Sequence, residues 1–327
     1  MDNLTHTLTG LMLSRAALDR VTPRSAALLM LAANAPDLDA VAALAAGDSY
    51  LDWHRGATHS LLFVPLVAVL PVLLVGLIRR RDGFPWLRAW IVSIVGVLSH
   101  LLLDYTNIYG IRLLWPVSRE WYRMDLTNLV DPWIWMLMLL GVVWPWLARL
   151  VSSEIGARSR AGAGIARFVL AALLSYEFAR WVLHARALAT LEARLYAGRP
   201  PRMAAALPHF ANPLRWRGLI ETADSWRVIP LDLLGDFDPT AGRVLYKQTA
   251  PTPALEKARD EPAFQSLERF SRTLYWRESP AADPGGGVEV AAVDLRFSLP
   301  EEGGFTARAL VVGGRVIESG FRFRPRR

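Results

Sequence analysis

The sequence predicts an α-helical integral membrane domain followed by a smaller soluble domain of the α+β class, composed mostly of strands. The chain has 327 residues, and its long apolar runs all fall before about residue 185. Beyond that point, short apolar stretches alternate with Gly and Pro clusters, a pattern typical of strands and turns. We therefore expect a membrane domain over 1–185, a linker or interfacial segment over 186–216 and a β-containing domain over 217–327.

Four runs in the N-terminal half are candidates to span a bilayer, which takes about 17–25 predominantly apolar residues in a helix. In chain order they are Leu61–Ile78, 86–103, 132–147 and 165–183. The second is interrupted by Arg88, and the fourth carries Arg167, Glu177 and Arg180. No basic segment or small-residue cleavage site marks the first residues, so we expect no cleavable signal peptide.

Two shorter helices, over 4–18 and 25–34, precede these runs, and Pro36 ends or kinks the second of them. His6 and Asp37 lie at nearly equal distances from the break at Val21-Thr22-Pro23. At a rise of 1.5 Å per residue, an antiparallel hairpin places both about 22 Å from its turn. The two side chains should therefore meet at one end of the hairpin, together with Asp39.

Histidines and acids cluster at this same end. Four of the six histidines fall within the first 100 residues, each near an acid or another histidine. His100 and Asp104 are one helical turn apart, so both point from one face of an apolar helix. Imidazole and carboxylate groups bind Zn²⁺, Mn²⁺ or Fe²⁺, and they are costly in apolar surroundings unless paired or metal-bound. The clustering predicts a metal site. Its candidate residues are Asp2, His6, Asp37, Asp39, His54, His59, His100 and Asp104.

Short arginine clusters mark the opposite ends of the helices. They comprise Arg15, Arg20 and Arg24, then Arg79, Arg80, Arg81 and Arg88, then Arg149, Arg158, Arg160 and Arg167. By the positive-inside rule, all three turns face the cytoplasm. We therefore expect a multi-pass protein of the inner membrane, with the histidine–aspartate end and the C-terminal domain on the extracytoplasmic side.

Composition narrows the partners. The net charge of +7 comes almost entirely from arginine, without a nucleic-acid motif, so membrane lipids with anionic headgroups are the expected partner and nucleic acid is not. The absence of cysteine excludes disulfides and thiolate ligands. The oligomeric state is left open.

The C-terminal part contains stretches typical of strands at 227–234, 288–299 and 307–317. Glycines mark turns at Gly285-Gly286-Gly287 and at Gly313-Gly314, the second typical of a two-residue hairpin. Residues 263–276 favour one helix. The segment 199–216, rich in Pro, Arg and Trp, is typical of a linker or an interfacial segment.

Several motifs together resemble the YdjM-type family of inner-membrane metal-dependent hydrolases, whose bacterial members include LexA-regulated ones. The matching stretches are MDNLTH at 1–6, ANAPDLD at 33–39, HRGATHS at 54–60, HLLLD at 100–104, NIYG at 107–110, LWP at 114–116, DPW at 131–133, WRGLIET at 216–222 and VDLRF at 293–297. More distantly, the His-x3-Asp helix is similar to zinc-dependent phospholipase C and P1-type nucleases. The resemblance implies metal ligands among His6, Asp37, His59, His100 and Asp104.

The resemblance also implies hydrolysis of a phosphoester by metal-activated water, with one or two divalent ions, zinc being favoured and Mn or Fe the alternatives. His54 or Asp39 would carry a proton, and Arg55 would hold a phosphate of an amphiphilic substrate. Plainer readings remain for several residues: one of the aspartates as a helix cap, Arg55 as a headgroup anchor, and Asp131 as the N-cap of a helix. The alternative functions are metal transport or homeostasis, or a non-catalytic envelope protein with a structural metal.

Overall fold

A computed structural model describes residues 1–22, 24–41, 50–79, 83–154, 161–248, 250–281 and 286–323. Pro23, Arg80, Arg81, Arg158, Arg160 and Gly285 of the sequence predictions lie outside these ranges. The chain forms two compact units. Unit 1 comprises Met1–Asp39, Arg55–Leu183 and Phe210–Pro213, and unit 2 comprises Ala40–His54, His184–His209 and Leu214–Arg327.

The helical elements are α1 (Asn3–Ala16), α2 (Ser25–Ala32), α3 (Tyr50–Trp53), α4 (Val64–Val67), α5 (Val69–Arg79), α6 (Trp86–Thr106), α7 (Pro132–Glu154), α8 (Ala161–Glu192), α9 (Pro253–Arg259) and α10 (Pro262–Phe270). Within the described ranges, four segments are long and apolar enough to cross a membrane: Leu61–Ile78, Trp86–Thr106, Pro132–Leu150 and Gly162–Glu192. Large apolar side chains on the first of them are exposed, including Leu66 at 66% and Ile78 at 75%. The fold class predicted for the N-terminal part is confirmed.

The predicted hairpin of α1 and α2 is confirmed, because Asn34 Nδ2 donates to Thr7 Oγ1 over 2.8 Å. Thr7, next to His6, therefore lies at the same height along the hairpin as Asn34, which is three residues before Asp37. The two helices approach closely at Gly10, where an added Cβ would lie 2.6 Å from the carbonyl oxygen of Leu29. Glycine permits this close contact between helix backbones.

Helix α6 packs against the same hairpin. An added Cβ at Gly96 would lie 2.7 Å from the Cβ of Ala32, which shows how close α6 and α2 are. Ser93 on α6 donates to the carbonyl of Ala68 over 2.8 Å. These contacts fix the height of α6, and with it the position of its last two turns.

Unit 2 contains two antiparallel four-stranded sheets, ordered β1-β2-β3-β4 and β5-β6-β7-β8. The strands are β1 (Met203–Pro208), β2 (Arg215–Glu221), β3 (Ser225–Asp232), β4 (Arg243–Tyr246), β5 (Leu274–Pro280), β6 (Val288–Asp294), β7 (Thr306–Val312) and β8 (Arg315–Arg322). The turn between β7 and β8 is the predicted two-residue hairpin. Its glycines, Gly313 and Gly314, have φ values of 57° and 76°, as a type I′ turn requires.

Two sequence predictions for this part need correction. The segment 186–216 is not simply a linker: α8 continues to Glu192, and strand β1 lies within 199–216, paired along β2. Its alanine-rich sequence carries little alternation, so partner strand pairing rather than local pattern makes it a strand. The helix predicted over 263–276 ends at Phe270, because Leu274 begins strand β5 opposite Asp294.

Candidate metal centre

Four side chains converge in the interior of unit 1: Asp37, His59, His100 and Asp104. One ligand atom from each lies within 4.8 Å of all the others, and the group could hold a metal ion. The Nε2 atoms of His59 and His100 are 3.1 Å apart. His100 Nε2 lies 3.4 Å from Asp104 Oδ2, and His59 Nε2 lies 3.4 Å from Asp37 Oδ1. Both histidines and Asp104 are fully buried.

Local structure places each of these groups. His100 and Asp104 lie one turn apart near the end of α6, as their spacing predicts. His59 ends a 3-10 helix at Ala57–His59, just before the segment Leu61–Ile78. Asp37 lies in another 3-10 helix, Pro36–Leu38, where the proline stops α2. All four therefore lie where a helix begins or ends, or within its last two turns.

The outer nitrogen of each histidine is held by an acceptor. His100 Nδ1 lies 2.7 Å from the carbonyl oxygen of Ala33, which can only accept, so in the neutral ring this nitrogen carries the proton. His59 Nδ1 lies 3.0 Å from the Thr58 hydroxyl oxygen, which donates to Asp39, and 3.3 Å from the same Asp39 carboxylate oxygen. Each ring therefore directs the lone pair of Nε2 into the cluster. Such outer contacts are how proteins orient metal-binding histidines.

Asp39 is consequently placed as the partner of His59. Its Oδ2 also accepts hydrogen bonds from the Thr58 hydroxyl at 2.6 Å and the Arg55 backbone N–H at 2.9 Å. Asp39 is absent from the four-residue group that could hold a metal. Its predicted role as a proton carrier stays a prediction.

His6 lies beside the cluster, stacked on His100 with ring centroids 3.8 Å apart. Its Nε2 is 3.4 Å from Asp104 Oδ1. The ring is fully buried, and within the described ranges neither of its nitrogens has a hydrogen bond. Burial and the neighbouring His100 lower the pKa of His6 well below its ordinary value, so its lone pair is available. These properties fit a ligand, although His6 is not one of the four converging residues.

Arg55 introduces a positive charge into the site. Its Nη2 lies 2.9 Å from Asp104 Oδ2, and its Nη1 donates to the carbonyl of Gly110 over 3.1 Å. The guanidinium also lies 4.5 Å from the centre of the Tyr109 ring. Arg55 has a φ of 55°, an unusual backbone conformation for a non-glycine residue.

The electrostatics of the cluster favour ionised carboxylates. Burial alone would raise the pKa of Asp37, but the neighbouring His59 and His100 rings and the Arg55 charge hold it below its usual range. Asp37 is therefore a carboxylate at neutral pH. A ligand must be deprotonated to bind a metal, and this group meets that requirement.

Asn107, whose role the sequence did not predict, makes hydrogen bonds beside the cluster. Asn107 Nδ2 donates to Asp104 Oδ1 over 3.1 Å, while its Oδ1 accepts from the backbone N–H groups of Tyr109 and Gly110. Asn107 thus steadies a candidate ligand and folds the loop that provides the carbonyl for Arg55. Its position directly after α6, three residues beyond Asp104, is the feature of the sequence that could have predicted this role.

Glu177, on α8, also escaped assignment. Its carboxylate accepts a hydrogen bond from the Thr106 hydroxyl over 3.4 Å, two residues beyond Asp104. The signal was an acid inside an apolar span, which usually has a functional reason.

The remaining predicted residues lie elsewhere. His54 belongs to unit 2, where its ring lies 5.0 Å from that of Tyr50, and its role as a proton carrier stays a prediction. Asp131 caps α7 as expected, since its Oδ1 accepts from the N–H groups of Trp133 and Ile134. Asp2 caps α1 through Leu4 and Thr5. Neither aspartate belongs to the four-residue group.

Comparison with known proteins agrees with these motifs. The chain is 32% identical to the protein YfhP of Bacillus subtilis (strain 168) over 153 residues, covering 44% of this chain and 46% of that protein. It is 34% identical to the inner membrane protein YbcI of Escherichia coli (strain K12) over 106 residues, covering 29% and 60%. It thus spans about half of the first relative's length. No solved structure matches. The model of the YdjM inner membrane protein family matches residues 1–187, and the chain belongs to this family.

Proposed function

We propose that this chain is a membrane-bound, metal-dependent hydrolase that cleaves a phosphoester in an amphiphilic substrate. One observation carries the metal assignment. The Nε2 atoms of His59 and His100 lie 3.1 Å apart, with the carboxylates of Asp37 and Asp104 within 3.6 Å of His100 Nε2. These four groups are all of types that bind divalent metals, and they converge closely enough for one ion to lie among them.

The donor set fits a divalent metal. Two imidazole nitrogens and two carboxylate oxygens suit Zn²⁺, with Mn²⁺ and Fe²⁺ as the alternatives, and His6 would be a further ligand or serve a second ion. When bound, such a metal lowers the pKa of its water to near neutrality and polarises the ester.

The chain's own residues supply the other requirements of phosphoester cleavage. Arg55 holds a guanidinium beside the cluster, 2.9 Å from Asp104, and can form a bidentate contact with a phosphate. Asp39 helps to orient the His59 ring. Asp39 and His54 are the candidates to carry a proton to the leaving group.

The position of the cluster suggests the substrate class. His59 lies two residues before the apolar segment Leu61–Ile78, and Asp104 lies in the last turn of α6. Groups at the ends of membrane spans meet molecules with a polar head and an apolar tail. A phospholipid or a polyprenyl phosphate has this character.

Metal analysis of the full-length protein in detergent tests the metal site. The His59→Ala, His100→Ala double variant should lose nearly all bound zinc after loading and dialysis. His209→Ala is the matched control, because His209 lies on the exposed surface of unit 2 and should leave the metal content unchanged. Full occupancy in the double variant, at unchanged helicity, would refute the assignment.

Hydrolysis is tested separately on phosphoester substrates, from a soluble aryl phosphate to phosphatidic acid in mixed micelles. Activity should require the metal, disappear with a chelator and return when zinc is restored. A fully loaded protein that is inert toward every phosphoester would overturn the proposed reaction while leaving the metal site in place.

A second candidate is a structural metal that braces the last turns of α6 against the 3-10 helices Pro36–Leu38 and Ala57–His59. The four protein ligands favour it, because a site closed by four ligands is typical of structural zinc, whereas a catalytic site keeps one position open. Cobalt substitution distinguishes the two: an open position changes the visible spectrum when phosphate is added, and a closed site does not.

A further inference from the structure

A second feature of unit 1 lies at the opposite ends of its helices. A cavity of about 560 Å³ is bounded by the end of α1, the C-terminal half of α7 and the first turn of α8. Arg15 lies nine residues beyond His6 on α1, which corresponds to about 13 Å along the helix axis. The cavity is therefore separate from the metal cluster.

Two arginines give this cavity its charge. Arg15 and Arg149 both line it, and no described carboxylate forms an ion pair with either of them. Arg15 is partly buried, and its Nη1 donates to the carbonyl of Gly141 over 3.2 Å, which leaves its other N–H groups available. Burial and the charge of Arg149 both lower the pKa of Arg15.

The net charge of the cavity remains positive when the other ionisable groups are included. Asp19 lines the same cavity, so its three ionisable side chains sum to a single positive charge. Arg167 of α8 lies close by, since its Nε donates to the carbonyl of Ala16, next to Arg15. The first backbone N–H groups of α8, at Gly162 and Ala163, add the partial positive charge of a helix N-terminus.

The other side of the cavity is apolar and faces outward. Val143 and Trp146 line it and are 43% and 60% exposed. Both belong to the segment Pro132–Leu150, which can cross a membrane, and they lie toward its end. Tryptophan favours the headgroup level of a bilayer. The cavity thus combines cationic side chains with an exposed apolar edge, which suits a lipid that presents a phosphate above its acyl chains.

We propose that this cavity binds the phosphate headgroup of an anionic phospholipid, held by Arg15 and Arg149, with the acyl chains along Val143 and Trp146. Basic pockets between membrane helices bind such headgroups through the surplus of cations. Guanidinium groups suit phosphate because they donate paired N–H groups. A free phosphate ion shares the headgroup chemistry, but it would make no use of the exposed apolar edge.

Quenching of tryptophan fluorescence tests the site in vesicles that carry the full-length protein. Phosphatidylglycerol brominated on its acyl chains should quench Trp146, whose contribution is the difference between the native chain and Trp146→Phe. Brominated phosphatidylcholine at the same density should quench it less. In the Arg15→Gln, Arg149→Gln variant, we expect the apparent affinity for phosphatidylglycerol to fall roughly thirtyfold.

The control variant is Arg20→Gln, Arg24→Gln, which removes the same charge from exposed arginines that do not line the cavity. It should keep the preference for phosphatidylglycerol. Equal quenching by the two lipids, or equal losses in the two double variants, would overturn the proposal. So would inorganic phosphate that binds the cavity while lipid shows no preference, because the ligand would then be the free ion.

Discussion

At the scale of single residues, the candidate metal centre depends on residues that orient the side chains of the candidate ligands. Asp39 and the carbonyl of Ala33 fix the two histidine rings, and Asn107 steadies Asp104. The ligand types were predictable, because histidine and aspartate are conspicuous in apolar runs. The residues that orient these ligands were not predictable. A backbone carbonyl has no sequence signature, and that of Ala33 contacts His100 across 67 residues of chain.

Asp39→Asn tests this dependence. An amide accepts less strongly than a carboxylate and can turn its NH₂ group toward His59 Nδ1, which disfavours the ring orientation that exposes Nε2. We expect zinc affinity to fall about 10- to 100-fold while helicity is retained. Competition with a chromophoric chelator measures the affinity. Asp19→Asn, at an exposed aspartate outside the cluster, is the control, and equal affinity in the two variants would contradict the role of Asp39.

Removing the charge of Arg55 should change metal affinity and phosphoester turnover in opposite directions. Its charge lies 2.9 Å from Asp104 and opposes a bound cation, so Arg55→Gln should raise zinc affinity severalfold. The same change should weaken inhibition by inorganic phosphate and lower phosphoester turnover by about 100-fold, as loss of an arginine contact to a transferring phosphate commonly does.

Arg55→Lys separates charge from geometry. It keeps the positive charge, so zinc affinity should stay near that of the native chain, while the paired N–H contact with phosphate is lost. Turnover that survives in both variants would show that Arg55 does not contact the substrate.

At the scale of elements, the metal cluster depends on how closely α1, α2 and α6 approach. The equal spacing of His6 and Asp37 from the hairpin turn was readable from the sequence, because helix rise is constant. Strand β1 and the early end of α10 were not, because pairing with β2 and β6 decides both. Local patterns identify an element well when its own periodicity stabilises it and poorly when a distant partner does.

Gly10→Ala tests the close approach of α1 and α2. The added Cβ would lie 2.6 Å from the backbone oxygen of Leu29, which cannot move aside without shifting α2. We expect destabilisation of about 1–3 kcal/mol and weaker zinc binding, since His6 moves with α1. Gly164→Ala is the matched control, because a Cβ there meets no atom within 4 Å in α8 and should stabilise the helix slightly. Thermal unfolding in detergent compares them, and similar melting temperatures would argue against tight packing at Gly10.

At the scale of the whole molecule, two features of unit 1 lie at opposite ends of its helices: the histidine–aspartate cluster and the arginine-lined cavity. This polarity was visible in the sequence, because charge distribution along the chain does not depend on packing. The positive-inside rule relates arginine-rich turns to the inner side, so we predict that the arginine-lined end faces the cytoplasm. In that orientation, the proposed hydrolysis would act on a substrate reached from the extracytoplasmic side.

Cysteine labelling in intact cells tests this orientation, and the chain has no native cysteine to obscure the result. Ala17→Cys places an exposed thiol at the hairpin turn beside the arginines, and Leu234→Cys places one at a position that is 79% exposed in unit 2. An impermeant maleimide should label Leu234→Cys and leave Ala17→Cys unmodified until the cells are lysed. Both substitutions avoid the metal cluster and the span interiors, so insertion should be unchanged. The reverse pattern would place the metal cluster and unit 2 in the cytoplasm, and the substrate would then have to be sought among lipids of the inner leaflet.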